Sequence, residues 1–194
     1  MTRTRTIVLA GAVLVAAALA ATVALVSGGG ASSGPAPISN GRVSLLERPR
    51  TATDDLPADV AGLPVASRLS SAAAARLATV DGSLRVYVAP AREGDVCLIV
   101  ADAEERSTLV NCAPKSLLRT TSIYIARPAS EEGATDVIGV VGDGVVATTA
   151  HSARGATVAS NVFVMRGLRG RELTLDGAAG AEGLLDIGPQ QPPP

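Results

Sequence analysis

The rhythm of apolar and polar positions changes sharply along this chain. IVLAGAVLVAAALAATVALV, residues 7 to 26, is an unbroken uncharged run. At 1.5 Å per residue a helix of that length spans about 30 Å, the hydrocarbon thickness of a bilayer, so the run predicts a transmembrane helix. SGGGASSGPAPISNG, residues 27 to 41, has the composition of a flexible Gly/Ser/Pro linker. From Arg42 to about Val65 the prolines at 49, 57 and 64 interrupt every period, which predicts extended or loop structure with short helical pieces. SSAAAARLA, residues 70 to 78, reads as a short helix capped by Ser70 or Ser71.

From Ser83 onward the period shortens to that of strands. The runs are SLRVYVA (83–89), DVCLIVA (95–101), STLVN (107–111), TSIYIA (121–126), TDVIGVV (135–141), VVATTAH (145–151), ATVASNVFVM (156–165) and RELTLD (171–176). Asp143-Gly144, between two Val-rich runs, is a strong hairpin signal, and Ser152 to Gly155 and Arg166 to Gly170 supply further turns. The last four runs therefore read as an antiparallel meander. The expected fold is mainly β: an N-terminal transmembrane helix followed by a small antiparallel β-sandwich or barrel with minor helix, occupying residues 42–176. Residues 177–194, from DGAAGAEG to PQQPPP, read as a disordered tail. One echo runs through the strands, since VYVAPAREGDVCLIV from Val86 resembles IYIARPASEEGATDVIGVV from Ile123, each reading as a hairpin.

Charge gives the topology. Arg3 and Arg5 precede the apolar run, and the first charge after it is Arg42, so residues 1–6 are placed in the cytoplasm and the rest outside. The alternative is secretion after signal cleavage near Ala20, because Ala18-Leu19-Ala20 fits a small-residue cleavage site. Beyond residue 26, fifteen basic residues face eighteen acidic ones, and no basic stripe exists to neutralise phosphates. Nucleic acid is excluded as a partner on that ground. The lipid bilayer, through residues 7–26, is the partner the sequence names directly.

Candidate chemistry is sparse. TTAHS, ending the 145–151 run, resembles the TAAH stretch that carries the histidine of chymotrypsin-like serine proteases, and His151 is the single histidine. A catalytic role would need a nucleophilic serine on a glycine-rich turn and an orienting acid. The chain has neither a Gly-Asp-Ser-Gly nor a Gly-x-Ser-x-Gly sequence, so His151 reads as an exposed residue at a hairpin tip and no catalytic residue is assigned. With one His and two Cys, no Cys/His zinc site can be completed, and the acid pairs Asp54-Asp55, Glu104-Glu105 and Glu131-Glu132 lack the alternating spacing of a calcium loop. They read as solvated turns. No metal or cofactor is expected. Cys97 and Cys112 are too far apart in sequence for a Cys-x-x-Cys redox motif but suit a structural disulfide outside the membrane.

The series VYVAP…CLIV…NCAP…GVVGDGV…SNVFVMRG, following a short Arg-tipped anchor, resembles uncharacterised actinobacterial single-pass membrane proteins with a small extracytoplasmic β-rich domain. The likeness covers about residues 5 to 167 and implies no activity and no site residues. Together these readings lead to a non-enzymatic, membrane-anchored extracytoplasmic module that binds a cell-envelope protein or polymer. The alternative is a secreted or tethered hydrolase with an unrecognised active site.

Overall fold

The computed structural model describes residues 36–150, 153–177 and 180–188. Within them the chain is mainly β, with eleven strands in antiparallel sheets and one turn of α-helix, α1 (Ala58–Ala61). The first sheet is a meander of β1 (Arg76–Asp81), β2 (Leu84–Pro90), β3 (Asp95–Asp102) and β4 (Ser107–Pro114), in that order. A middle sheet holds β5 (Ile123–Pro128) and β6 (Thr135–Val140), with β9 (Val162–Leu168) against β6. The third sheet is built from β7 (Val145–Ala150), β8 (Ala153–Thr157), β10 (Glu172–Gly177) and β11 (Glu182–Asp186), in the order β11-β10-β7-β8.

Strict alternation stacks these sheets. On β2 and β3, Leu84, Val86, Val88, Val96, Leu98 and Val100 point to one side, where they meet Ile123, Ile138, Val140 and Val162 of the middle sheet. Tyr87, Ala89, Cys97 and Ile99 point the other way and are covered by Val60, Leu69 and Ala75 from the segment before β1. The middle sheet is apolar on both faces. Val137, Phe163 and Met165 leave its far side to pack on Leu173, Leu175 and Leu185 of the third sheet. Successive side chains of a strand alternate between faces, so a Val/Ile run without polar interruption is the pattern of a strand buried on both. Each fully buried aliphatic side chain contributes about 1.5–3 kcal/mol, and these small side chains do so by number rather than size. Gly139 is fixed by the middle sheet's single Phe: a Cβ there would lie 2.3 Å from the Phe163 ring.

Several expectations are corrected. The short helix expected over residues 70–78 is reduced to one 3-10 turn, Ala72–Ala74, with Ser71 as its cap. The chain then enters β1, where ladder bonds to β2 outweigh the helix preference of a segment too short to hold a helix alone. ATVASNVFVM divides into β8 and β9, because Ser160 and Asn161 adopt φ of 50° and 62° and turn the chain between them. Asp143-Gly144 joins β6 to β7 but forms no hairpin, since those strands lie in different sheets. Its backbone is engaged elsewhere: Asp143 N donates to Arg42 O at 2.8 Å and Asn40 N donates to Asp143 O. The last four predicted strands are thus not a meander.

Both ends of the domain reach further than read. Within the expected tail, Glu182–Asp186 form β11 against β10, and Leu185 and Ile187 are buried. Within the expected linker, Ile38 is buried and the Ser39 hydroxyl donates to Leu118 O. The predicted span 7–26 and residues 189–194 lie outside the described residues. Among those described, no helix is long and apolar enough to cross a membrane.

Candidate functional site

Cys97 and Cys112 are joined in a disulfide. They face each other directly in the β3–β4 ladder with Cα atoms 4.0 Å apart, the close approach of a non-hydrogen-bonded antiparallel pair. β4 runs on to Pro114, so Cys112 lies inside the strand rather than at its close. Cys97 is fully buried beneath α1 and the turns around it, which makes the bridge a clamp between an inner strand and the edge strand of the first sheet.

The buried carboxylates of the fold join its parts. Asp54, fully buried, accepts a two-pronged bond from the Arg48 guanidinium (2.9 and 2.5 Å), a bond from Thr51 N and one from Leu77 N at 2.8 Å. Arg48 also donates to Leu77 O. The Asp54 carboxyl is held far below the usual carboxylate range, first by Arg48, with burial opposing and the Thr51 and Leu77 amides assisting. The consequence is topological: the outward N–H and C=O of Leu77, on the free edge of β1, are both consumed. The sequence pattern places Asp54 in a solvated turn, whereas the structure buries it; the Thr51-x-x-Asp54 capping spacing is the sequence signal that points to its role.

A second network ties the first sheet to the middle one. Arg127 on β5 donates to Asp102 at 2.7 Å and lies 3.5 Å from Glu105 and 3.7 Å from Asp136. Arg166 on β9 bonds Asp136 at 2.6 Å and Asp81 at 2.8 Å. Burial pushes the Asp102 carboxyl up, but Arg127, the Ser83 hydroxyl and the amides of Glu105 and Glu104 outweigh it and leave its pKa lowered to about 2. At the opposite ends of these strands, Asn161 accepts from Leu45 N and donates to Val141 O and Asp143 Oδ1, fastening the entering segment.

Cavities open beside these networks, two of them against Asp81 and Asp102. One of about 560 Å³ lies between β1 and the β8–β9 corner, lined by Thr79, Asp81, Ala156, Val164 and Arg166. Another of about 510 Å³ lies by Pro57, Ala101 and Ala103, flanked by Arg85 and Arg106. The carboxylates in their walls, Asp81 and Asp102, already serve Arg166 and Arg127. Of the remaining acid pairs, Asp55 meets Arg50 and Glu131 meets Arg169 at the surface. His151 lies outside the described residues. Among the described residues no group of three His, Cys, Asp or Glu is arranged to hold a metal ion.

The third sheet differs from this pattern of saturated charge. Cross-strand partners of β10 and β11 on its outer face are Glu172 with Asp186 and Asp176 with Glu182, acid opposite acid, flanking Thr174 and Leu184. Leu184 is 63% exposed. Arg171, 3.6 Å from Asp186, is the nearest compensating charge. Like charges directly opposite destabilise a sheet, so this face carries a local cost that the first sheet does not. Comparison with family models, curated proteins and solved structures finds no match to this chain.

Proposed function

We propose that the chain is a non-enzymatic, membrane-anchored extracytoplasmic binding module. Residues 7–26 anchor it with the N-terminus in the cytoplasm, and the first and middle sheets act as a β-sandwich to which the third sheet adds a further layer. One observation carries the binding role. The buried acids Asp54, Asp102 and Asp136 each meet a guanidinium that joins structural elements, whereas β11 leaves an exposed Leu between two acids that each face another acid across the strand pair, on an outermost strand. The disulfide supports the compartment, since such bonds persist in oxidising surroundings. The partner class is a protein or polymer of the cell envelope.

Affinity purification of the tagged full chain from its own membranes, with intact mass analysis of the product, tests this. The expected result is a chain that retains residues 7–26 and brings down one stoichiometric envelope component. A mature chain beginning at Ala21 overturns the anchor in favour of secretion. Turnover of an ester, peptide or glycoside substrate overturns the binding role in favour of the hydrolase.

A further inference from the structure

Hydrogen-bond parity shows what the free edge of β11 offers. Gly177 N donates to Ala181 O, and Ile187 N donates to Arg171 O, so the odd-numbered residues of this strand turn their backbone groups toward β10. In an antiparallel ladder the direction alternates, and Glu182, Leu184 and Asp186 therefore point their N–H and C=O groups away from it. The Tyr124 hydroxyl confirms the parity by donating to Asp186 O at 3.3 Å, and it closes the edge at that end. Glu182 and Leu184 keep both outward groups, and Asp186 its N–H, without a protein partner among the described residues.

The side chains of the same residues share the outer face. Leu184 is exposed between Glu182 and Asp186, and each acid has another acid opposite it on β10. Natural edges are blunted by charged side chains, lysine above all, and by shortness, proline, bulges or a covering segment, so the two acids of this five-residue strand guard it against acidic strands and leave it selective for a basic one. β11 has no lysine or proline, and its register with β10 is unbroken. On the reading of the chain as a binding module, we propose that β11 receives an added antiparallel strand from a different protein, an extended segment with basic residues two positions either side of an apolar one. Main-chain bonds to Glu182 and Leu184 give the pairing, the apolar residue covers Leu184, and the basic residues neutralise the two acid pairs. Charge decides the occupant: a second copy paired about Leu184 would set Glu182 opposite Asp186 of that copy and add two more acid–acid contacts.

The test uses the full chain in nanodiscs of neutral lipid, with fluorescent peptides Thr-Lys-Thr-Val-Thr-Lys-Thr and its counterpart with Glu in place of Lys. Anisotropy is read at low salt, and hydrogen exchange is read at the amides of Glu182, Leu184 and Asp186. The Lys peptide should bind, slow exchange at those amides, and outbind the Glu peptide by about tenfold or more. Leu184→Pro removes an N–H that points away from β10, a substitution edge strands tolerate, and should weaken binding about tenfold with the melting transition retained. Glu182→Arg with Asp186→Arg should reverse the peptide preference, which decides the matter even if the proline variant does not fold. Absence of Lys-peptide binding, equal binding by folded L184P, or exchange protection away from β11 would each overturn the proposal. A native envelope partner that L184P still captures would overturn the β11 site while leaving the binding-module reading intact.

Discussion

The two four-stranded sheets are treated in opposite ways. The first is secured at several points: Asp54 and Arg48 consume the outward backbone of β1 at Leu77, a disulfide ties β4 to β3, and a layer of short helical turns covers the outer face. The third sets acid against acid along its last pair of strands and ends in a strand whose outward groups are largely unspent. Both sheets bury an apolar inner face equally well, so the contrast is not one of core quality. It teaches that the stabilising devices of this molecule, the disulfide and the buried Arg–Asp pairs, are concentrated on the first sheet and its seam with the middle one, while the last pair of strands carries unfavourable charge.

Removing the clamp should have the largest effect. Replacing Cys97 and Cys112 together by Ala should cost about 4 kcal/mol, of which about 3 comes from releasing a loop of this length and the remainder from the space left at the buried Cys97. Denaturant titration measures it, and alkylation of the unreduced folded protein should label neither cysteine. Asp54→Ala comes next, at about 3 kcal/mol, because it strips the partner from Arg48 and leaves Leu77 N unsatisfied. A loss below about 1 kcal/mol by the same titration would show that the edge of β1 is not held by this carboxylate.

Acid should weaken the first sheet through Asp102. Its folded pKa of about 2 lies below the ordinary value of 3.8, so its stabilising contribution is complete above about pH 4 and is lost as pH falls through 2. The difference amounts to about 2 kcal/mol, and Asp102→Asn should flatten that part of the stability curve. The smallest effect has the opposite sign. Glu182→Arg replaces a like-charge pair with Asp176 by an opposite one and should raise stability by about 0.5 kcal/mol at low salt, fading as salt is added. A stability loss there would remove the contrast between the sheets.

Much of the fold was legible because strand alternation is a local signal. The runs at 83–89, 95–101 and 135–141 became β2, β3 and β6 with small boundary shifts, and the Cys97–Cys112 bridge followed from spacing and topology. What escaped notice depends on distant partners. β1 hides in an Ala-rich stretch that favours helix until β2 is alongside, and β11 hides in Gly-rich sequence whose Leu185 has meaning only against Leu173. Asp143-Gly144 carried the right turn chemistry, but Arg42 and Asn161, far away in sequence, decide where that turn leads. The acid–acid face was invisible for the same reason, because Asp176 and Glu182 become neighbours only once the register is fixed.

The placement of the two tyrosines has an optical consequence. Tyr87 lies under the helical turns on the outer side of the first sheet, while Tyr124 packs against the core shared by the middle and third sheets. The chain has no tryptophan to absorb their emission by energy transfer. Each single Tyr→Phe variant therefore turns ultraviolet fluorescence into a reporter for one layer, Tyr87 dimmed by the neighbouring disulfide until that layer opens and Tyr124 sensing water at the seam beside β11. Melting followed in the two variants separately would show whether the secured sheet and the open-edged one come apart in a single transition or in sequence.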